Sequence, residues 1–160
     1  MRNVPLVVLP AVVGLVLLAG CAVEPAVDPR ALHAWQDEQD ADEERRDDVL
    51  GVLTAGVQRG PDDPGDTGSQ ITIEYPHPQT IEHLRFSCFG NGHMSGIVRT
   101  TSATGGGSEV VEDLACRDSP HHIDLPAAHR TDVERVSFAA YGSDRASEWR
   151  LVIVGDLATG

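Results

Sequence analysis

From Gln70 to the end of the chain, apolar and polar residues alternate with a period of two, which places successive side chains on opposite faces of a strand. Ile71, Ile73 and Tyr75 alternate with Thr72 and Glu74, and Pro76 and Pro78 are expected to end that strand. Leu84, Phe86 and Cys88 alternate with Arg85 and Ser87 and run into Gly90-Asn91-Gly92, a turn in which positive φ is easily adopted. His93 to Thr101 reads as the returning strand and Gly105-Gly106-Gly107 as the next turn. Val110 to Cys116 is then a third strand of the meander, and His122 to Leu125 a short one. Two stronger strands close the chain. In Val133 to Tyr141 the inward set is Val136, Phe138 and Ala140, and in Glu148 to Val154 it is Trp149, Leu151 and Ile153. Seven short strands with turn residues between them and no amphipathic helix predict an all-β domain over residues 70–160. Its expected form is a small antiparallel β-sandwich or a partly open barrel.

Upstream the pattern changes. Glu24 to Asp63 holds 12 acidic residues against 4 arginines, whereas Pro64 to Gly160 holds 13 against 7 and most of the β-branched and aromatic residues. The centre of this stretch, Asp37 to Glu44, is too charged and too poor in large apolar side chains to bury a core. Residues 21–69 are therefore expected to be an acidic linker, disordered or with a short exposed helix. Asp28 is placed to cap a helix opening at Pro29, and Val49, Leu50, Leu53 and Val57 recur at helical spacing before Gly60-Pro61. As flexible coil, the 26 residues from Ala22 to Asp47 would average about 28 Å end to end.

Residues 1–20 have the build of a secretory signal. Arg2 gives a short positive start, Val4 to Leu18 is an uncharged apolar run, and the small residues Ala19 and Gly20 follow. A spanning helix needs roughly twenty apolar residues, whereas this run has fifteen and includes Pro5 and Pro10. Leu18-Ala19-Gly20-Cys21 resembles the lipobox of bacterial lipoproteins. That resemblance implies cleavage before Cys21 and lipidation of its sulfur and new amino group, which anchors the chain on the outer face of the cell membrane. Each buried methylene adds roughly 0.8 kcal/mol of membrane affinity, so two or three acyl chains hold firmly where one does not.

With Cys21 acylated, Cys88 and Cys116 are the cysteines that remain, and in an oxidising compartment they are expected to pair as a disulfide. A redox role is disfavoured, because no Cys-x-x-Cys spacing or adjacent helix start is present to lower a thiol pKa. The layout from Arg85 to Cys116, with Cys88-Phe89-Gly90-Asn91-Gly92 within it, resembles small lipoproteins of high-GC Gram-positive bacteria. Those carry a strand with Cys-x-Gly-x-Gly, a hairpin, a second cysteine and a strand-rich C-terminus. The resemblance implies a β fold and transfers no catalytic residues.

A net charge of −13, with no lysine, argues against nucleic acid and anionic lipid surfaces as partners. It also removes the P-loop lysine, the Ser-x-x-Lys nucleophile and Schiff-base chemistry. The chain lacks a Gly-x-Ser-x-Gly elbow, a His-Glu-x-x-His pair and a Gly-x-Gly-x-x-Gly turn, so no enzymatic activity and no cofactor are expected. Asp62-Asp63-Pro64-Gly65-Asp66 has the oxygens to wrap calcium but reads first as a turn.

Six histidines lie in the β domain: His77, His83, His93, His121, His122 and His129. Imidazole suits zinc or copper, and His121 or His122 with His129 and Asp124 is the candidate set, although adjacent His121 and His122 face opposite ways on an extended segment. Trp149 and Tyr141 are the rings available as a glycan platform, but Trp149 alternates with Leu151 and Ile153 and is expected in the core. Trp35 is expected to anchor the linker to the domain or to the membrane interface. The combined expectation is a non-enzymatic binding or accessory module for an envelope protein or glycan, with a metal-binding envelope protein as the alternative.

Overall fold

The computed structural model describes residues 27–60 and 70–156. The signal-like segment with Cys21 and the residues Asp62-Asp63-Pro64-Gly65-Asp66 lie outside the described residues. One helix, α1 (Pro29–Glu43), precedes seven strands: β1 (Val49–Val57), β2 (Ile71–Cys88), β3 (His93–Ser102), β4 (Gly105–Ala115), β5 (His121–Ile123), β6 (Val133–Tyr141) and β7 (Ser147–Asp156). Strand order is β1-β7-β2-β6-β3-β4, all neighbours antiparallel, with β5 added against β2. The sheet does not close into a barrel, and the fold is an all-β sandwich.

The long strand β2 makes the sandwich. Its first half pairs with β6, from Ile71 opposite Phe138 to Gln79 opposite Val133, and its second half pairs with β7, from Thr80 opposite Asp156 to Cys88 opposite Trp149. Pro76 and Pro78 therefore do not end a strand. They lie in the irregular stretch between Glu74 and Gln79, where the ladder to β6 breaks and β2 passes from one layer to the other. Proline has no N–H to give a ladder, so this crossing is a place in a sheet that tolerates it. The two strands expected at Ile71 and Leu84 are thus halves of one.

The layers face each other across an aromatic centre. Phe86 and Trp149 come from the layer of β1, β7, β5 and the second half of β2, and Phe138 comes from the opposite layer. The Phe138 ring lies 5.3 Å from Phe86 and 4.8 Å, edge-on, from Trp149. Leu84, Leu151, Ile153, Val98 and Val136 complete the core at 1% exposure or less. Burying each such side chain contributes about 1.5–3 kcal/mol. The expected inward sets of β6 and β7 are buried or partly buried, Ala140 being the partly buried one. The Cys88–Cys116 disulfide is present, closing a loop across a sequence separation of 28. On the chain-entropy model, a loop of this size is worth about 3.5 kcal/mol.

Three further expectations change. Val49 to Val57 is not a helix but the edge strand β1, paired along its length with β7, so the sheet takes in residues expected in the linker. Gly105 to Gly107 is not a turn: it pairs with Thr100 to Ser102 and leaves Ala103-Thr104 as the hairpin tip. The short strand is His121–Ile123, one residue earlier than expected and ending before Leu125, although Leu125 is buried all the same. Gly90 in the Gly90-Asn91-Gly92 turn does take positive φ, at 91°.

Candidate functional site

Helix α1 forms where Asp28 and Pro29 indicate: the Asp28 carboxylate accepts a hydrogen bond from the Arg30 N–H at 2.9 Å, and proline fills the first turn. No residue of α1 is fully buried. Leu32, Trp35, Gln36, Gln39, Asp42 and Glu43 are half-buried, however, and their spacing of three and four puts them on one side of the helix. That side lies on the outer face of β2 and β7. The acidic stretch is therefore not a free coil; fifteen of its residues form a helix about 22 Å long attached to the domain.

The attachment is mostly polar. Arg85 on β2 and Arg150 on β7 both point outward, since Ser87 lies opposite Arg150 and Arg85 is two residues away on the same face. Arg150 donates to Glu43 through two nitrogens at 2.5 Å and to Asp40 at 2.6 Å, while Arg85 donates to Asp42 at 2.9 Å. Gln36 adds a 2.7 Å bond to Glu148. Trp35 packs edge-on against Phe89 with ring centroids 5.9 Å apart, anchoring the helix to the domain. The side chains of Arg150 and Glu43 are only 12% and 14% exposed, so their pairing is shielded from water. The hydrogen bond from Arg85 holds the Asp42 carboxyl below its usual range against the opposing effect of burial, and the bond to Glu43 raises Arg150 further.

Beside these pairs a cleft of about 450 Å³ opens between α1 and the sheet. On the helix side it is lined by Trp35, Glu38, Gln39, Asp42 and Arg45. Arg85, the Cys88–Cys116 bridge, Gly90, Ser119 and Pro120 form the rest of the wall. Small-molecule sites commonly fall between ~300 and ~1,000 Å³. Among the described residues, Tyr75 Oη, Arg85 Nη1 and His129 Nδ1 are buried side-chain atoms without a hydrogen-bond partner. Of the three, only Arg85 also lines this cleft. A buried donor left unpaired costs about 1–3 kcal/mol, and more on a charged group.

Compared with protein-family models, curated proteins and solved structures, the chain matches none.

The structure does not bring His121 or His122 together with His129. His121 turns inward, 6.5 Å from the Phe86 ring, and its Nε2–H donates to the Ala115 carbonyl at 2.8 Å. His122 turns outward, donates to Asp124 at 3.0 Å, and stacks on His83 with centroids 4.2 Å apart. The two neighbours thus face opposite ways, as extended backbone requires. His129 lies elsewhere, in the turn Ala127–His129 and against Gly107 of β4, where an added Cβ would overlap its ring. Among the described residues no group of three or more His, Cys, Asp or Glu side chains is arranged to hold a metal ion. Trp149 and Tyr141 are buried at 1% and 7% exposure and offer no surface platform.

Sequence reasoning missed Arg85, Arg150 and their acidic partners, which are separated by 43 positions for Arg85 and 107–110 for Arg150. The available signal was a single arginine at an outward position of each of two apolar strands, together with an acidic helix whose polar residues share one side.

Proposed function

We propose that the chain is an extracytoplasmic lipoprotein, cleaved before Cys21 and anchored there by lipid, whose non-enzymatic β-sandwich serves as a binding module for a component of the cell envelope. The observation that carries the binding role is the cleft between α1 and the sheet, whose wall sets Arg45 and Arg85 beside Trp35, Glu38 and Asp42. The lipid-anchored location rests on the signal-like segment 1–20 and the lipobox-like Leu18 to Cys21. A net charge of −13 disfavours nucleic acid and anionic lipid as ligands. The metal-binding alternative has no cluster to build on among the described residues.

With α1 attached to the domain, the tether shortens. Cys21 lies seven residues before Asp28, so chain length alone limits their separation to about 25 Å. The module then works close to the lipid rather than at the end of a long arm.

Expression of the full chain and of Cys21→Ser tests the location. The wild type should gain the mass of lipid and lose the first 20 residues, whereas the variant should gain no lipid and keep its signal. Identical processing and lipid content for the two would end the lipoprotein reading.

A further inference from the structure

We infer that the cleft between α1 and the sheet is a binding site for a short, uncharged saccharide, a reading that deepens the proposed binding role and rests on it. The lining is balanced in charge: Glu38 and Asp42 stand against Arg45 and Arg85. Such a site neither attracts a polyanion nor a polycation. It does offer acceptors and donors side by side, with Gln39 supplying both.

A sugar has the matching chemistry. Each hydroxyl donates one hydrogen bond and accepts others, so it pairs well with planar carboxylate, amide and guanidinium groups in close array. Arg85 shows the arrangement best. One of its terminal nitrogens is held by Asp42, which fixes the guanidinium plane, and the other, Nη1, is buried without a partner and belongs to a residue lining the cleft. The guanidinium pinned in this way is a fixed polar part of the wall, beside the carboxylates of Glu38 and Asp42. Trp35 supplies the aromatic surface that the C–H face of a sugar ring prefers, and Pro120 and the disulfide add apolar wall.

The same geometry disfavours an extended peptide, the main competitor for a cleft of this size. Peptides join β folds by adding a strand to a free edge. Here β2 is already paired with β7 on one side and with β5 from Leu84 to Phe86 on the other. Beyond that point the Cys88 N–H donates to Ser119 Oγ at 3.1 Å. Along the cleft, Arg85 and the Cys88 N–H are thus already engaged.

The test uses the chain as it is purified from expressing cells, in detergent micelles, titrated separately with neutral disaccharides of hexose and of N-acetylhexosamine type and with short uncharged peptides, and followed by calorimetry and tryptophan emission. At least one saccharide should bind saturably, and Trp35→Ala and Glu38→Gln should each weaken that binding tenfold or more. Glu38 is exposed, so Glu38→Gln should leave the melting temperature unchanged and separate loss of binding from loss of fold. Saccharide binding untouched by Glu38→Gln, or no saccharide binding at all, would overturn the inference. Peptide binding without saccharide binding would overturn the ligand class while leaving an envelope-binding lipoprotein in place. The Cys21→Ser experiment reports on that broader reading independently.

Discussion

His83 sits on the outer face of β2, stacked on His122 and near Arg46, Asp48 and Glu82. Partial burial, with help from the charge of His122 and Arg46 and against the pull of Glu82 and Asp48, lowers its pKa from the usual 6.5. The unfolded chain therefore takes up this proton at a higher pH than the folded one. The associated stability is fully present above 6.5 and is lost as pH falls from there through the lowered folded value. The melting temperature should decline over that interval, and His83→Gln should flatten the decline. An equally steep decline in the variant would refute the assignment. Other single residues were readable from the sequence because their role is local. Trp149, Phe138 and Phe86 betray burial by alternation, and Cys88 and Cys116 are the cysteines left once Cys21 is set aside. Gly96 was not readable: its role is to make room, since a Cβ there would run into the ring of Phe138 on the neighbouring strand, and an empty space leaves no mark in the pattern.

Among the elements, β1 shows how a strand can hide. Its inward positions are Gly51, Leu53 and Ala55, opposite Ile153, Leu151 and Trp149 of β7. Two of those three side chains are too small to register as apolar, so the period of two vanished and the remaining valines and leucines fell by chance on a helical spacing. Gly51 is small for a physical reason, because a Cβ would meet Ile73 Cδ1 from the facing layer. Helix α1 was partly legible: its cap and first turn were, whereas its attachment depends on ion pairs that no local pattern reveals. Arg150 carries most of that attachment, and Arg150→Ala leaves Glu43 shielded without a partner. The substitution should destabilise the helix contact by about 2 kcal/mol. Amide exchange across Pro29–Glu43 should then accelerate while the strands keep their protection. Unchanged exchange in α1 would show that Trp35 and Gln36 suffice to hold it.

At the scale of the molecule, the fold class followed from many short alternating segments, and a sandwich is what such segments build when one face of each must be covered. The strand order did not follow, because β7 lies between β1 and β2, and β6 between β2 and β3, pairings over long separations that periodicity does not encode. What joins the layers is a single continuous strand, β2, carrying hydrogen bonds to both. Neither half of the sandwich owns a complete set of partners without it. Heating should therefore melt the protein in one step, with the calorimetric enthalpy matching the van't Hoff enthalpy, whereas two resolved transitions would mean that the halves unfold independently. A chain laid out this way denies the cell a half-folded intermediate with one intact layer, and leaves little between the finished module and none at all.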